Sequence, residues 1–155
     1  MKSIHLLVAF STASVSLWAA DTPAVPAIYK SAADLAAILK KNVEATPDMA
    51  TSPVVSEDRY RVNIVRRGKG AGAIVHPAGT EVHYIIDGAA TFVTGGTLRP
   101  SSAGGRGNAT IAEGESRHVA KGDVLLVPAG TPHWYKDVEG SITYLEVRFD
   151  VGDKK

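Results

Sequence analysis

The sequence predicts an all-β domain preceded by one short helix. From Val54 onward, apolar and polar residues alternate in several short segments with a period of two, which is the pattern of half-buried strands. The chain contains 15 glycines and 8 prolines, many of which lie between these segments, as turn residues do. Short strands joined by glycine-rich turns are typical of a closed barrel or a sandwich. The predicted strands are 60–65, 81–86, 90–94, 123–127 and 142–149.

The predicted helix covers residues 31–45. Ser31 is a suitable N-cap, and Asp34 stands at the third helical position, where an acidic side chain is favoured. Leu35, Ile38 and Leu39 share one face of this helix.

Four regions are expected along the chain. Residues 1–20 are interpreted as a signal peptide, 21–53 as a linker with the helix, 54–150 as the barrel domain and 151–155 as a tail. The prolines at positions 47 and 53 are interpreted as bracketing a second linker. A further stretch, 95–108, is rich in glycine and serine and is predicted to be a mobile loop.

The N-terminus indicates export. Lys2 precedes a short apolar run that small residues continue as far as Leu17, which is the pattern of a secretory signal. The alternative is a membrane anchor, but the run is short and diluted by serine and threonine. We therefore expect a periplasmic or secreted protein with no membrane segment after signal removal.

Charge and cysteine content exclude several classes of function. The formal net charge is +1 and no stripe of lysine or arginine is present, so no nucleic-acid partner is expected. The chain has no cysteine, which excludes disulfides, thiolate nucleophiles and sulfur-ligated zinc. Any metal site must therefore be built from imidazole and carboxylate groups.

A candidate site lies around the histidines. His76, Glu81 and His83 fall within eight residues of one another. Glu81 and His83 are two apart in a predicted strand, so their side chains point to the same face. If that face is the barrel interior, a buried carboxylate and imidazole need a partner, and a metal ion would satisfy both. The alternative is a Glu81–His83 pair at a wet rim. His118, farther along the chain, is expected to be exposed.

Two spacings resemble the motifs of the cupin family. The first family pattern is Gly, five residues, His-x-His, four residues, Glu, six residues and Gly. The second is Gly, five residues, Pro-x-Gly, two residues, His, three residues and Asn. The resemblance covers residues 60–149. The matching positions are Gly68, His76, Glu81 and Gly88 in the first motif, and Gly122, Pro128, Gly130 and His133 in the second, with Asp137 in place of Asn.

The resemblance implies the cupin fold, a double-stranded β-helix or jelly-roll barrel. It also implies that His76, Glu81 and His133 are metal ligands, although Ile74 stands where the family has its first histidine. Such a set suits one divalent ion of Mn, Fe, Ni, Zn or Cu, and the sequence does not distinguish among them. Since cupins are often dimers, a homodimer is implied as well.

His83 is predicted to replace the missing histidine. In the family hairpin the second His and the Glu flank a short loop on neighbouring strands, which would place His76 opposite Glu81. Opposed residues have a constant index sum, so Ile74 would then lie opposite His83 and an imidazole could reach the ion from there. The alternative is that His83 is a structural or pocket histidine, and a β-bulge would turn it outward.

The resemblance also implies a metal-dependent enzyme of the dioxygenase, isomerase or lyase type that acts on a small oxygen-rich molecule. The alternative is a cupin that binds metal or ligand without catalysis. No catalytic residue is assigned, because no Ser-His-Asp or paired-acid arrangement is visible. Arg59, Arg61 and Arg148 are interpreted either as carboxylate binders or as a solvated strand face, and Tyr135 as a candidate for the pocket wall.

Overall fold

The computed structural model describes residues 24–101, 108–150 and 152. It confirms the all-β prediction, since one helix and eight strands make up the regular structure of the described residues. None of the described helices is long and apolar enough to span a bilayer. The elements are α1 (Ala32–Ala45), β1 (Met49–Ser56), β2 (Tyr60–Arg67), β3 (Thr80–Thr94), β4 (Thr97–Arg99), β5 (Thr110–Ala112), β6 (Glu115–Ala120), β7 (Val124–Val127) and β8 (His133–Phe149).

The barrel is organised around two long strands, β3 and β8. They pair with each other in antiparallel fashion over nearly their whole length, with register shifts near Gly88 and Thr91. The main sheet has the order β1-β2-β8-β3-β6, and β7 pairs with the first half of β3. The first half of β3 pairs with β7 and the second half of β8, and the second half of β3 pairs with β6 and the first half of β8.

Gly88 makes the bend in β3 possible. Its φ is +79°, and a Cβ there would collide with the carbonyl oxygen of Ser141 on the neighbouring strand β8. Only glycine combines this backbone conformation with such a close approach. The segments 81–86 and 90–94, which were predicted as two strands, are consequently one strand that curves through Gly88.

The hydrophobic core lies between the halves of β3 and β8. Phe92, Ile85, Ile142 and Val65 are almost completely buried there. Two tyrosines, Tyr135 and Tyr144, belong to the same cluster, and their rings stack with centroids 4.9 Å apart. The core therefore becomes polar on the side of the tyrosine hydroxyls, which is where the candidate site lies.

The helix prediction is confirmed. Ser31 is the N-cap, and its Oγ accepts a hydrogen bond from the backbone N–H of Asp34 at 3.1 Å. None of the 14 residues of α1, all of them described, is fully buried. The helix is tied to β1 by Asn42, whose Nδ2 donates to the carbonyl oxygen of Thr51 at 2.7 Å.

One expected linker is wrong, and one expected loop contains a short strand. The segment between Pro47 and Pro53 is not a linker, because Met49–Ser56 forms β1 and pairs with β2 on both sides of an irregularity after Pro53. A proline is tolerated at such an irregularity of an edge strand. Within 95–108, Thr97–Arg99 forms β4 and pairs with β5, whereas 102–107 lie outside the described residues.

The predicted signal peptide also lies outside the described residues, which begin at residue 24. The division of the chain into a signal peptide, a linker with the helix, a barrel domain and a tail therefore stays a prediction.

Candidate metal centre

Three of the four predicted ligands are carried by the long strands. Glu81 and His83 lie on the inner face of β3, and His133 is the first residue of β8. Their exposed fractions are 3%, 2% and 4%, respectively. The expectation that Glu81 and His83 point into the barrel is correct, and the alternative of a pair at a wet rim is wrong.

His76 comes from an irregular segment between β2 and β3. The segment is held against the start of β8 by a single bridge, in which Ile74 and His133 exchange both backbone hydrogen bonds at 3.0 and 2.9 Å. The carbonyl oxygen of His76 then accepts from the N–H of Gly130 at 2.7 Å. His76 is thereby held beside His133, with 30% of its side chain exposed.

All three imidazoles approach the same carboxylate. His76 Nε2 lies 3.3 Å from Oε1 of Glu81, and the Nε2 atoms of His83 and His133 each lie 3.3 Å from its Oε2. The donor atoms form two overlapping groups with metal-binding spacing, which share Glu81. The groups are His76–Glu81–His133 and Glu81–His83–Glu146.

The tautomer of His133 follows from its surroundings. Its Nδ1 lies 3.0 Å from the carbonyl oxygen of Thr131. A carbonyl oxygen only accepts hydrogen bonds, so Nδ1 donates and the Nε2 of the neutral ring carries a lone pair. That lone pair faces the Glu81 carboxylate at 3.3 Å, and two acceptors at this distance need a proton or a cation between them.

His83 is connected to the tyrosine pair. Its Nδ1 shares a hydrogen bond of 3.1 Å with the hydroxyl of Tyr135, and its ring centroid lies 4.7 Å from that of Tyr144. On the other side of the ring, the buried Nε2 has no hydrogen-bond partner of acceptable geometry. When His83 Nδ1 donates to Tyr135, this Nε2 offers a lone pair toward Glu81.

The electrostatics keep Glu81 ionised and His76 neutral. Burial raises the pKa of Glu81, but the nearby imidazoles of His133 and His83 outweigh burial and hold this pKa well below 4.5. Burial lowers the pKa of His76 from 6.5, although the charge of Glu81 opposes the shift. Glu81 is therefore ionised and His76 unprotonated at neutral pH.

The register argument for His83 is wrong. Ile74 bridges His133 and does not lie opposite His83, whose partners across the ladder are Glu146 on β8 and Leu125 on β7. The hairpin fails because the segment that carries Ile74 bridges the start of β8 instead of pairing with the first residues of β3. His83 reaches Glu81 along its own strand, so the assignment of four ligands stays a prediction.

Glu146 and Arg67 were missed by the sequence analysis. Glu146 lies between Asn63 and His83 in the ladder, and its Oε1 accepts from Asn63 Nδ2 at 3.0 Å. Arg67 is the last residue of β2 and lies on the same face of that strand as Asn63. Neither residue belongs to a motif, and only the pairing of β8 with both β2 and β3 would have revealed them.

These groups line a cavity of about 310 Å³. Its polar wall contains the His76–Glu81–His133 group, His83 and Glu146, and its remaining wall is largely aromatic and aliphatic. Tyr135 belongs to this wall, as expected. The rest of the lining that faces the site is formed by Arg67, Ile74, Trp134, Tyr135 and Tyr144.

Three other arginines line a second cavity, of about 320 Å³. Arg59 and Arg61 lie there together with acidic residues such as Asp58. Arg148 stands at the boundary between the cavities, with its Nε 3.8 Å from Oε1 of Glu81 and its Nη2 donating to the carbonyl oxygen of Ala78 at 2.8 Å. His118 is exposed, as expected, and donates to Glu139 at 3.1 Å.

The family model named cupin matches residues 58–147, which is more than half of the chain. This chain belongs to the cupin family. The comparison with curated proteins finds no match.

Solved structures show the same cupin fold. A proposed mannose-6-phosphate isomerase from Ralstonia eutropha JMP134 has 18% identity and a TM-score of 0.50, with 68% of this chain and 88% of that chain covered. A predicted oxalate decarboxylase from Thermotoga maritima has 16% identity and a TM-score of 0.50, covering 66% and 81%. Fe(II) HppE has 15% identity and a TM-score of 0.51, covering 65% of this chain and 50% of that one.

The His76–Glu81–His133 group of this cupin fits a divalent ion. Two donor atoms that share one ion at about 2.1 Å, at angles between about 90° and 110°, are about 3.0–3.4 Å apart. The three imidazole–carboxylate separations of 3.3 Å fall in this range. A cation beside Glu81 satisfies the lone pair of His133 within the His76–Glu81–His133 group, whereas the orphaned Nε2 of His83 belongs to the second group, with Glu81 and Glu146.

Proposed function

We propose that this cupin is an exported protein that binds one divalent metal ion on His76, Glu81, His83 and His133. We further propose that it is a metal-dependent enzyme of the dioxygenase, isomerase or lyase type, acting on a small oxygen-rich molecule. The observation that carries the proposal is the Nε2 lone pair of His133 directed at an ionised carboxylate inside a cavity. Without a proton or a cation between them, the imidazole nitrogen and the carboxylate oxygen repel each other.

The cavity supplies the other requirements of a reaction site. A bound divalent ion with an open position polarises a carbonyl group or activates water. Tyr135 and Thr131 orient the two imidazoles through their Nδ1 atoms. Glu146 lines the same cavity, and the hydrogen bond from Asn63 holds its Oε1, so this carboxylate is positioned to take a proton from a bound molecule.

The metal site is tested by elemental analysis of the protein purified from the cells that make it. We expect one ion per chain in wild type, and a loss of that ion in Glu81→Gln and His133→Ala. His118→Ala is the matched control, because His118 is an exposed histidine paired with Glu139 at a distance from the cavity. Metal retained by both site variants would contradict the proposal.

Catalysis is tested with the metal-loaded protein and a panel of diketones, sugar acids and phenols. We expect turnover of at least one class, and Glu146→Gln is expected to lower turnover while metal content stays at one ion per chain. If no member of the panel is turned over by fully loaded protein, the alternative of a non-catalytic binding cupin is favoured.

Export is tested by sequencing the N-terminus of the mature protein. The basic residue Lys2 and the apolar run that follows support cleavage between Ala20 and Val25. Mature material is expected in the periplasm or the medium. Soluble cytoplasmic protein that still begins with Met1 would contradict this part of the proposal.

A further inference from the structure

Arg67 is a buried cation in the wall of the metal cavity. Only 9% of its surface is exposed, although arginine is almost never buried without a partner. It ends strand β2 on the inner face, two residues after the core residue Val65. It also lines the cavity that holds Glu81 and the three histidines.

Other residues of the protein contact only one side of this guanidinium group. The Nε of Arg67 donates to the hydroxyl of Tyr144 at 3.0 Å, and the guanidinium carbon lies 5.3 Å from the centre of the Tyr135 ring. Among the described residues, no carboxylate lies within 4.0 Å of Arg67, and the cavity carboxylate Glu146 is held by Asn63 instead. The terminal nitrogens are therefore left without an anionic partner from the protein.

The neighbouring tyrosines do not neutralise the charge. Burial raises the pKa of Tyr144 to about 12, even though Arg67 opposes that shift, and burial also raises the pKa of Tyr135. Both hydroxyls are thus neutral at physiological pH. A buried, permanently charged group without a counter-charge is costly, and this cost is removed when a ligand brings the opposite charge.

We propose that Arg67 is the anion subsite of this cavity and that the molecule bound there is a small organic carboxylate. The two terminal nitrogens of a guanidinium match the two oxygens of a carboxylate, and a single positive charge matches a single negative one. The rest of the molecule then extends through the cavity toward Glu81 and the histidines. This inference deepens the proposed function, on which it rests, by naming the class of ligand.

The test measures binding of three carboxylates and their neutral amides by calorimetry. The pairs are acetate and acetamide, lactate and lactamide, and pyruvate and pyruvamide, each with metal-free and zinc-loaded protein. We expect at least one carboxylate to bind about tenfold or more tightly than its amide in both forms of the protein, as expected for a charge-assisted pair. The metal-free arm isolates the contribution of Arg67 from any contribution of the ion.

The variants assign the preference to Arg67. Arg67→Gln should abolish the preference for carboxylates over amides. Arg67→Lys should keep part of that preference, because lysine retains the charge but lacks the two parallel N–H donors of a guanidinium. Arg117→Gln is the matched control, since Arg117 is exposed and paired with Glu115, and should behave as wild type. If Arg67→Gln does not fold, the preference for carboxylates is compared between wild type and Arg67→Lys. A weaker preference in Arg67→Lys then supports the inference, and an unchanged one contradicts it.

The outcomes separate this inference from the proposed function. No preference for any carboxylate over its amide in wild type, or an unchanged preference in folded Arg67→Gln, would overturn the inference. Inorganic phosphate that displaces the carboxylates and binds more tightly would overturn the assignment of a carboxylate. If wild type binds no metal but still prefers carboxylates, the proposed metal site fails while the anion subsite stands.

Discussion

The candidate site joins two regions of different construction. Glu81, His83 and His133 lie on β3 and β8, where the ladder fixes each residue and leaves it almost fully buried. His76 lies on an irregular segment that the Ile74–His133 bridge and the backbone hydrogen bond from Gly130 hold in place, and it is 30% exposed. The buried strands thus provide a rigid set of donors, whereas the irregular segment forms the wetter side of the site. The difference predicts unequal effects for changes of similar chemistry.

The largest effect is expected for Glu81→Gln. All three imidazoles lie 3.3 Å from this carboxylate, and Gln removes the negative charge at nearly constant volume. We expect metal affinity to fall by more than about 100-fold, because even changes outside the ligand shell cost about 10–100-fold. The measurement is competition with a chelator of known affinity. An affinity within a few-fold of wild type would show that Glu81 is not a ligand.

A smaller loss is expected for His76→Ala than for His133→Ala. The exposed side of His76 is open to water, which can replace the missing imidazole, whereas His133 is only 4% exposed. We expect about a tenfold loss of metal affinity for His76→Ala and on the order of 100-fold for His133→Ala. Equal losses in the two variants would argue that the exposure of His76 has no energetic consequence.

Variants of His83 test whether strand β3 supplies a third imidazole ligand to the metal ion. If His83 is a ligand, His83→Ala lowers metal affinity by at least about tenfold, and Tyr135→Phe lowers it less, since Tyr135 only orients the ring. His118→Ala again serves as the control. Full metal affinity in His83→Ala, combined with losses in His76→Ala and His133→Ala, would make His83 a structural histidine.

The smallest effect is expected from pH near neutrality. Because the pKa of His76 lies below 6.5, its imidazole is already unprotonated at pH 7, and the contribution of His76 to metal affinity should be constant above about pH 6.5. It should fall at lower pH, by about tenfold per unit for each ligand that becomes protonated. A steep fall already between pH 8 and 7 would contradict the lowered pKa.

The stability of the metal-free protein should also decrease as the pH falls. The folded pKa values of His76 and Glu81 are both below their unfolded values of 6.5 and 4.5, so the unfolded chain binds more protons as the pH falls. The contribution of His76 is therefore fully present above about pH 6.5 and that of Glu81 above about pH 4.5. Thermal melts should show Tm decreasing in two steps below these values.

The sequence predicted the features that depend on local chemistry. The cap at Ser31, the alternation in β2 and the motif spacings were sufficient for the helix, the fold class and the meeting of His76, Glu81 and His133. The predictions from sequence were wrong where strands pair with residues that are distant along the chain. The bridge between Ile74 and His133 spans 59 residues, as 133 − 74 shows, and its register is decided by the bend of β8.

By itself, the sequence determined the donor chemistry of this protein, because a chain without cysteine can offer only imidazole and carboxylate, and the spacing of Glu81 and His83 places both on one face of a strand. Only the tertiary structure decided what surrounds those donors. The pairing of β8 with both β2 and β3 brings Glu146 beside His83 and leaves Arg67 in the cavity wall without a carboxylate. The physical reason is that strand register is set by the packing of the whole barrel, and one residue of slip would turn each of these side chains to the opposite face.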